Sequence, residues 1–267
     1  MSGFSIHWLD LREPADVAAR DKSLVNIALD WLGQKEDPIS PDRILVDLGA
    51  GTGSTLRALS ELGASNFVWR LVDVDGDLLD EALRRHGKQL LIEDYQADLT
   101  IVNELPLMGA NIITASALFD LVSREFCDAL IARISSRKTA FYAALNYDGN
   151  IQWSPSHPLD EKVLAAFNKD QMRDKGFGPA LGPTATDYLK STLQAAGYKI
   201  EIAPSPWQLG AGQQALIAEL VAGIYNVIAT NSDVDVDTLN EWKQFRLQHA
   251  DSGNCTVGHW DLLALPQ

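Results

Sequence analysis

Three glycines at alternate positions, in Ile44-Leu45-Val46-Asp47-Leu48-Gly49-Ala50-Gly51-Thr52-Gly53-Ser54, stand where an apolar run gives way to a helical pattern. Glycine adopts positive φ freely and lets the main chain come close to a bound molecule. Turns of this kind, at the carboxyl end of a buried strand, are where open α/β folds take their ligands. The dinucleotide fingerprint G-x-G-x-x-G fails, because Ser54 stands where its third glycine belongs, and no Gly-Lys-Ser/Thr comes after it to make a P-loop. Asp73, in Leu71-Val72-Asp73-Val74-Asp75, falls twenty positions after Gly53. A carboxylate there accepts both hydroxyls of a ribose. Asp98, in Gln96-Ala97-Asp98-Leu99, comes after the next strand, within reach of an adenine amino group. Asp75 reads better as the N-cap of a helix.

These residues need a sheet to bring them together. Short apolar runs at 44–46, 68–74, 90–92, 111–115 and 139–145 predict five strands. Helical patterns lie between them, the last capped by Ser123. Such alternation implies βαβ crossovers and a parallel sheet covered on both faces. A helix is expected before them over 14–32, then a break at Glu36-Asp37-Pro38-Ile39-Ser40-Pro41. After Leu145 the pattern changes to a loop carrying Tyr147, Trp153 and His157, with Asn146-Tyr147-Asp148-Gly149 as a turn. Helices are expected over 159–175, 184–196, 213–229 and 237–248, with strands over 198–203 and 256–265.

At 267 residues and 46% hydrophobic, the chain suits one domain: a core over 34–145, a lid over 146–185, and C-terminal strands and helices over 186–267. Lys and Arg number 22 against 36 Asp and Glu, a net charge of −14. That acidity argues against a nucleic-acid partner, which needs a basic footprint. No apolar stretch approaches the ~18 residues of a membrane span. The start has no leader pattern, and two distant cysteines make neither a disulfide framework nor a zinc site. A cytoplasmic protein is expected.

Over residues 40–145 the chain resembles the class I S-adenosylmethionine-dependent methyltransferases. Val46-Asp47-Leu48-Gly49-Ala50-Gly51-Thr52-Gly53 is similar to their first motif and Val72-Asp73-Val74 to their acidic second. Ala97-Asp98-Leu99 is similar to the adenine segment, and Ile113-Thr114-Ala115-Ser116-Ala117-Leu118 to the one beside the methionine. The resemblance implies a Rossmann-like three-layer αβα sandwich with a mostly parallel seven-stranded sheet, its last strand antiparallel. It implies S-adenosylmethionine as cofactor and S-adenosylhomocysteine as product, with no metal. Gly49, Ala50 and Gly51 would run along the methionine and ribose, and Asp73 with Val74 would meet the ribose. Asp98 and Leu99 would surround the adenine, Ser116 would face the sulfonium end, and Asp47 would hold the loop or a water near the ammonium.

The acceptor would be a small molecule with an oxygen or nitrogen nucleophile. Arg20, Asn146 and Trp153 are candidates to bind it, together with Arg12, Lys175, Phe177 and Trp207. His157, and beside it Tyr147, are candidates for proton transfer. Each has a plainer reading: Arg12 and Arg20 as partners of Glu13 or Asp16, Trp153 as packing, His157 as a loop imidazole. Two rival functions remain at this point, a non-catalytic ligand sensor on the same fold and an NAD(P)-dependent oxidoreductase. The oligomeric state is left open.

Overall fold

The computed structural model describes residues 4–33, 43–63, 67–232 and 234–267. The expected break at 36–41 and the chain's start at 1–3 lie outside them. Five strands, β1 (Ile44–Leu48), β2 (Val68–Asp73), β3 (Leu91–Gln96), β4 (Ala110–Ser116) and β5 (Ala140–Ser154), pair in parallel in the order β3-β2-β1-β4-β5. Beyond β5 the sheet continues with β8 (Asn254–Pro266) and β6 (Tyr198–Pro204), and the short β7 (Trp207–Leu209) pairs with β8. β8 runs antiparallel to β5, β6 and β7. The expected seven-stranded sheet with an antiparallel last strand is therefore present, with one further short strand.

Helices α3 (Ser54–Glu61), α4 (Gly76–His86), α5 (Arg124–Ser135) and α7 (Ala185–Ala195) lie against this sheet. The strand residues alternate between two cores. Val46, Leu48 and Ile113 pack with Phe126, Leu130 and Leu189 on one face, and Leu45, Trp69 and Leu71 with Leu56, Leu59 and Leu79 on the other. Ser123 and Asp75 cap α5 and α4, accepting from the amides of Phe126 (3.2 Å) and Asp77 (3.0 Å). A third cluster, around Trp207, Val257 and Trp242, buries Leu216, Ile217, Val221, Ile224 and Ile228 of α8 (Gln214–Asn231) against α6 (Asp160–Gln171) and α9 (Val236–Gln248). This apolar helix thus spends its face within the chain.

Two expectations are corrected. The helix expected over 14–32 is a pair, α1 (Ile6–Ala19) and α2 (Lys22–Gly33). Arg20 leaves helical geometry at ψ 130, and Asp21 restarts the helix by accepting from the Leu24 amide at 2.8 Å. The loop expected after Leu145 is instead the second half of β5, which carries Asn146, Tyr147 and Trp153 in the sheet. Register shifts between Ala143 and Asn146, and between Tyr147 and Ile151, let the strand absorb Leu145 at φ +56 and Gly149 at φ +89 and still pair with β8.

Candidate functional site

The glycine turn leaves β1 by crossing β2. The amides of Gly49 and Ala50 both donate to the Val72 carbonyl, at 2.8 and 3.1 Å. Gly49 and Gly51 have φ +66 and +53, and a Cβ on Gly51 would stand 3.1 Å from Leu9 Cδ1. The main chain is consequently bare where the cavity begins. Gly51 donates to Asp73 Oδ2 at 2.8 Å, and the Asp75 amide to Asp73 Oδ1 at 3.0 Å. Each oxygen of Asp73 so keeps accepting capacity. Burial raises this carboxyl's pKa, against the pull of the Asp75 and Gly51 amides.

A cavity of about 450 Å³ opens over these strand ends. Gly49, Gly51, Asp73, Val74, Asp98, Leu99 and Ser116 all line it. Ala50 is buried in the turn, and Asp47 lies beneath it, 1% exposed, accepting from Thr114 Oγ1 at 2.7 Å. Burial pushes Asp47 up to about 7, opposed by the Thr114 hydroxyl and the Arg20 charge. Asp98 is held below the usual carboxylate range by the Thr100 hydroxyl (2.7 Å) and amide (2.9 Å). The far walls are Phe4, Leu9 and Arg12 at α1, Leu118 and Leu121 after β4, and Lys175, Gly176 and Phe177. Only those last three of the expected lid over 146–185 reach the cavity.

α1 is fastened over this opening by two ion pairs. Arg57 of α3 pairs with Glu13, and Arg85 of α4 with Asp10 at 2.6 Å. Where α1 ends, Arg20 is 5% exposed and reaches Ser116 Oγ at 3.3 Å, while its Nε and Nη1 meet no partner. It is neither a surface residue nor paired with Asp16; Arg12 takes that partner, at 2.8 and 3.1 Å.

The residues expected to act on the acceptor scatter. His157 is the clearest departure. Its Nδ1 accepts from the Leu159 amide at 3.2 Å, and its ring lies 4.7 Å from Phe245 of α9, away from the cavity lining. Trp153 packs beside Trp242 (6.0 Å) under Arg246 (5.0 Å), also outside that lining. Asn146 is fully buried, donating to the Ala143 and Trp260 carbonyls at 3.2 and 3.0 Å. Tyr147 donates to Asn168 Oδ1 at 2.8 Å, and burial raises its pKa well beyond the ordinary phenol range. Sequence reasoning misses Asp120 and Asp261. Each is an acid inside an apolar run, Leu118-Phe119-Asp120-Leu121-Val122 and Trp260-Asp261-Leu262-Leu263, which is the signal that could find them.

No family model matches the sequence, and no curated protein matches it. The fold does have known counterparts. The chain is similar to a cyclopropane-fatty-acyl-phospholipid synthase-like protein from Lactobacillus casei, with TM-score 0.56 and 12% identity over 98% of this chain and 94% of that one. It is similar to the YcgJ protein from Bacillus subtilis, with TM-score 0.50 and 12% identity over 92% of this chain and all of that one. An O-methyltransferase family protein from Burkholderia thailandensis is matched more loosely, at TM-score 0.44 and 12% identity, over 68% of this chain and 54% of its own. The fold is that of the class I S-adenosylmethionine-dependent methyltransferases.

Proposed function

We propose that the cavity binds S-adenosylmethionine and that the protein transfers its methyl group to an oxygen or nitrogen of a small molecule. What supports this reading is the convergence of Gly49, Gly51, Asp73, Val74, Asp98, Leu99 and Ser116 on one cavity of about 450 Å³, within the size range of small-molecule sites. Asp73, with both oxygens still able to accept, suits the two ribose hydroxyls. Asp98 and Leu99 suit the adenine edge and face, and Val74 lies beside them. The bare main chain from Gly49 to Gly51 leaves room for the link to the amino-acid end. Asp47 holds the end of β1 through Thr114. Arg20 does not itself line the cavity and reaches it only through Ser116, to whose hydroxyl its Nη2 donates at 3.3 Å.

Bound there, the cofactor supplies an electrophilic methyl on a sulfonium. The chain's own part is to fix its orientation and exclude water with Leu9, Leu118 and Phe177. Alignment of nucleophile, methyl and leaving group can supply much of the acceleration.

Calorimetry with S-adenosylmethionine tests the reading. Saturable one-to-one binding is expected, weakened about ten- to a hundredfold in Asp73→Ala, the loss of one or two hydrogen bonds to a charged group. Absence of binding in the wild-type protein would refute it. Binding without methyl transfer to any component of a cell extract would point to a sensor.

A further inference from the structure

Among the described residues the sheet ends in β3 on one side and in β6, with the short β7 beyond it, on the other. A border strand carries a row of unpaired main-chain groups and can take another strand. Along β6, its pairing with β8 decides which groups those are. The Ser205 amide donates to the His259 carbonyl at 2.9 Å and the Gln267 amide to the Gly197 carbonyl at 3.4 Å. Both bonds lie on the register that sets Lys199 opposite Leu265 and Glu201 opposite Leu263. In an antiparallel ladder, residues alternate between turning both main-chain groups toward the neighbour and turning both away. The odd-numbered residues of β6 therefore spend theirs on β8, and Tyr198, Ile200 and Ile202 aim theirs outward.

Side chains alternate as well. Lys199 and Glu201 share one face, their charged ends 2.8 Å apart and open to solvent. Tyr198, Ile200 and Ile202 share the other, with Ile202 39% exposed. Two copies of β6 laid antiparallel about a two-fold axis can be centred on Lys199, Ile200 or Glu201. The first sets lysine against lysine. The last sets glutamate against glutamate, and Tyr198 against Pro204, which has no amide to give. Centring on Ile200 sets each Lys199 against a Glu201, at the non-hydrogen-bonded positions where facing side chains come closest. It also matches every outward amide with an outward carbonyl.

The other border has no such register. In Leu91-Ile92-Glu93-Asp94-Tyr95-Gln96 of β3, a two-fold centred on Glu93 or on Asp94 makes that acid face itself. A lone lysine or a proline on a border strand keeps other strands away. On β6, however, the lysine is answered by a glutamate two residues on, and Pro204 lies beyond the stretch that would pair.

We propose that β6 is the interface for a second copy of this chain: two molecules join antiparallel through it, centred on Ile200, and their sheets become one. Lys199 of each molecule meets Glu201 of the other, Ile200 meets Ile200, and Tyr198 meets Ile202. No residue of β6 lines the cavity, so each molecule keeps its own site.

Analytical ultracentrifugation of the full chain tests this from about 1 to about 200 µM, the range expected of a small interface. Wild type should pass from monomer to dimer as concentration rises. Lys199→Glu and Glu201→Lys each set like charges face to face, and each should raise the dissociation constant at least about tenfold. The double variant carrying both changes should return to within about threefold of wild type. An equimolar mixture of the two single variants should form a heterodimer, because every exchanged charge again meets its opposite. Both side chains are exposed, so melting temperatures should stay within about 2 °C of wild type, showing that the variants are folded. A wild-type monomer over the whole range would overturn the proposal and leave the border to some other partner. A dimer indifferent to both single variants, or single variants that fail to pair when mixed, would overturn it too.

Discussion

Asp47 shows how a single carboxyl couples the site to stability. In the folded chain it is pushed up to about 7, whereas an unfolded aspartate titrates near 3.9. Between those values the folded state holds more protons than the unfolded one, so stability falls as pH rises from about 4 to about 7. Asp47→Asn removes that titration. Its melting temperature, relative to wild type, should therefore climb between pH 4 and pH 8. About three pH units at 1.36 kcal/mol each set a ceiling of about 4 kcal/mol. Melts monitored by circular dichroism at the two pH values decide it, and a constant difference would refute it. Among individual residues, the glycines and the acids after β2 and β3 were legible because strand ends and turns announce themselves locally. Arg20 and Asp120 were not, since burial without a partner depends on how the rest of the chain packs around them.

Asp261 does for the elements what Asp47 does for the turn. Its two oxygens accept from the Asp21 amide at the start of α2 (3.0 Å), from the Tyr142 hydroxyl (2.8 Å) and from the Leu145 amide (2.8 Å). Three donors from two elements meet on one buried carboxylate of β8. Asp261→Ala would leave them unpaired, and the cost of orphaned buried donors sets the expected loss at about 3 kcal/mol or more. Urea denaturation measures it; a loss below about 1 kcal/mol would show that the three donors find other partners. The same residue explains why two element boundaries were misread. Arg20-Asp21 is compatible with a continuing helix until Asp261 takes the Asp21 amide and the Asp21 side chain caps α2. Asn146-Tyr147-Asp148-Gly149 has the composition of a turn, yet Asn146 and Tyr147 pair with Trp260 and His259 of β8, and pairing resumes at Ile151 after a register shift. Strands β1, β4 and the first half of β5, by contrast, were legible because burial on both faces leaves a largely apolar run, whereas the exposed edge strand β3 showed only its first residues.

At the scale of the molecule, α1 covers the cavity and is fastened by partly exposed ion pairs, Arg57–Glu13 and Arg85–Asp10. Such pairs contribute modestly and are weakened by salt. Raising ionic strength from about 0.05 to about 0.5 M should speed amide hydrogen exchange in α1 several-fold and leave β1, β4 and β5 unchanged. Equal acceleration throughout would mean that the pairs hold nothing in particular. The charge balance read from composition gave no hint of this, because it counts acids and bases without saying which of them meet.

Of the eight strands among the described residues, β8 comes last in sequence but lies inside the sheet, between β5 and β6. During synthesis, β5 and β6 must each wait as an open border until residues 254–266 leave the ribosome. The adenosyl half of the molecule can fold early from near neighbours in sequence. The hold of Asp261 on Tyr142 and on the Leu145 amide is assembled last, by contacts that span more than a hundred residues.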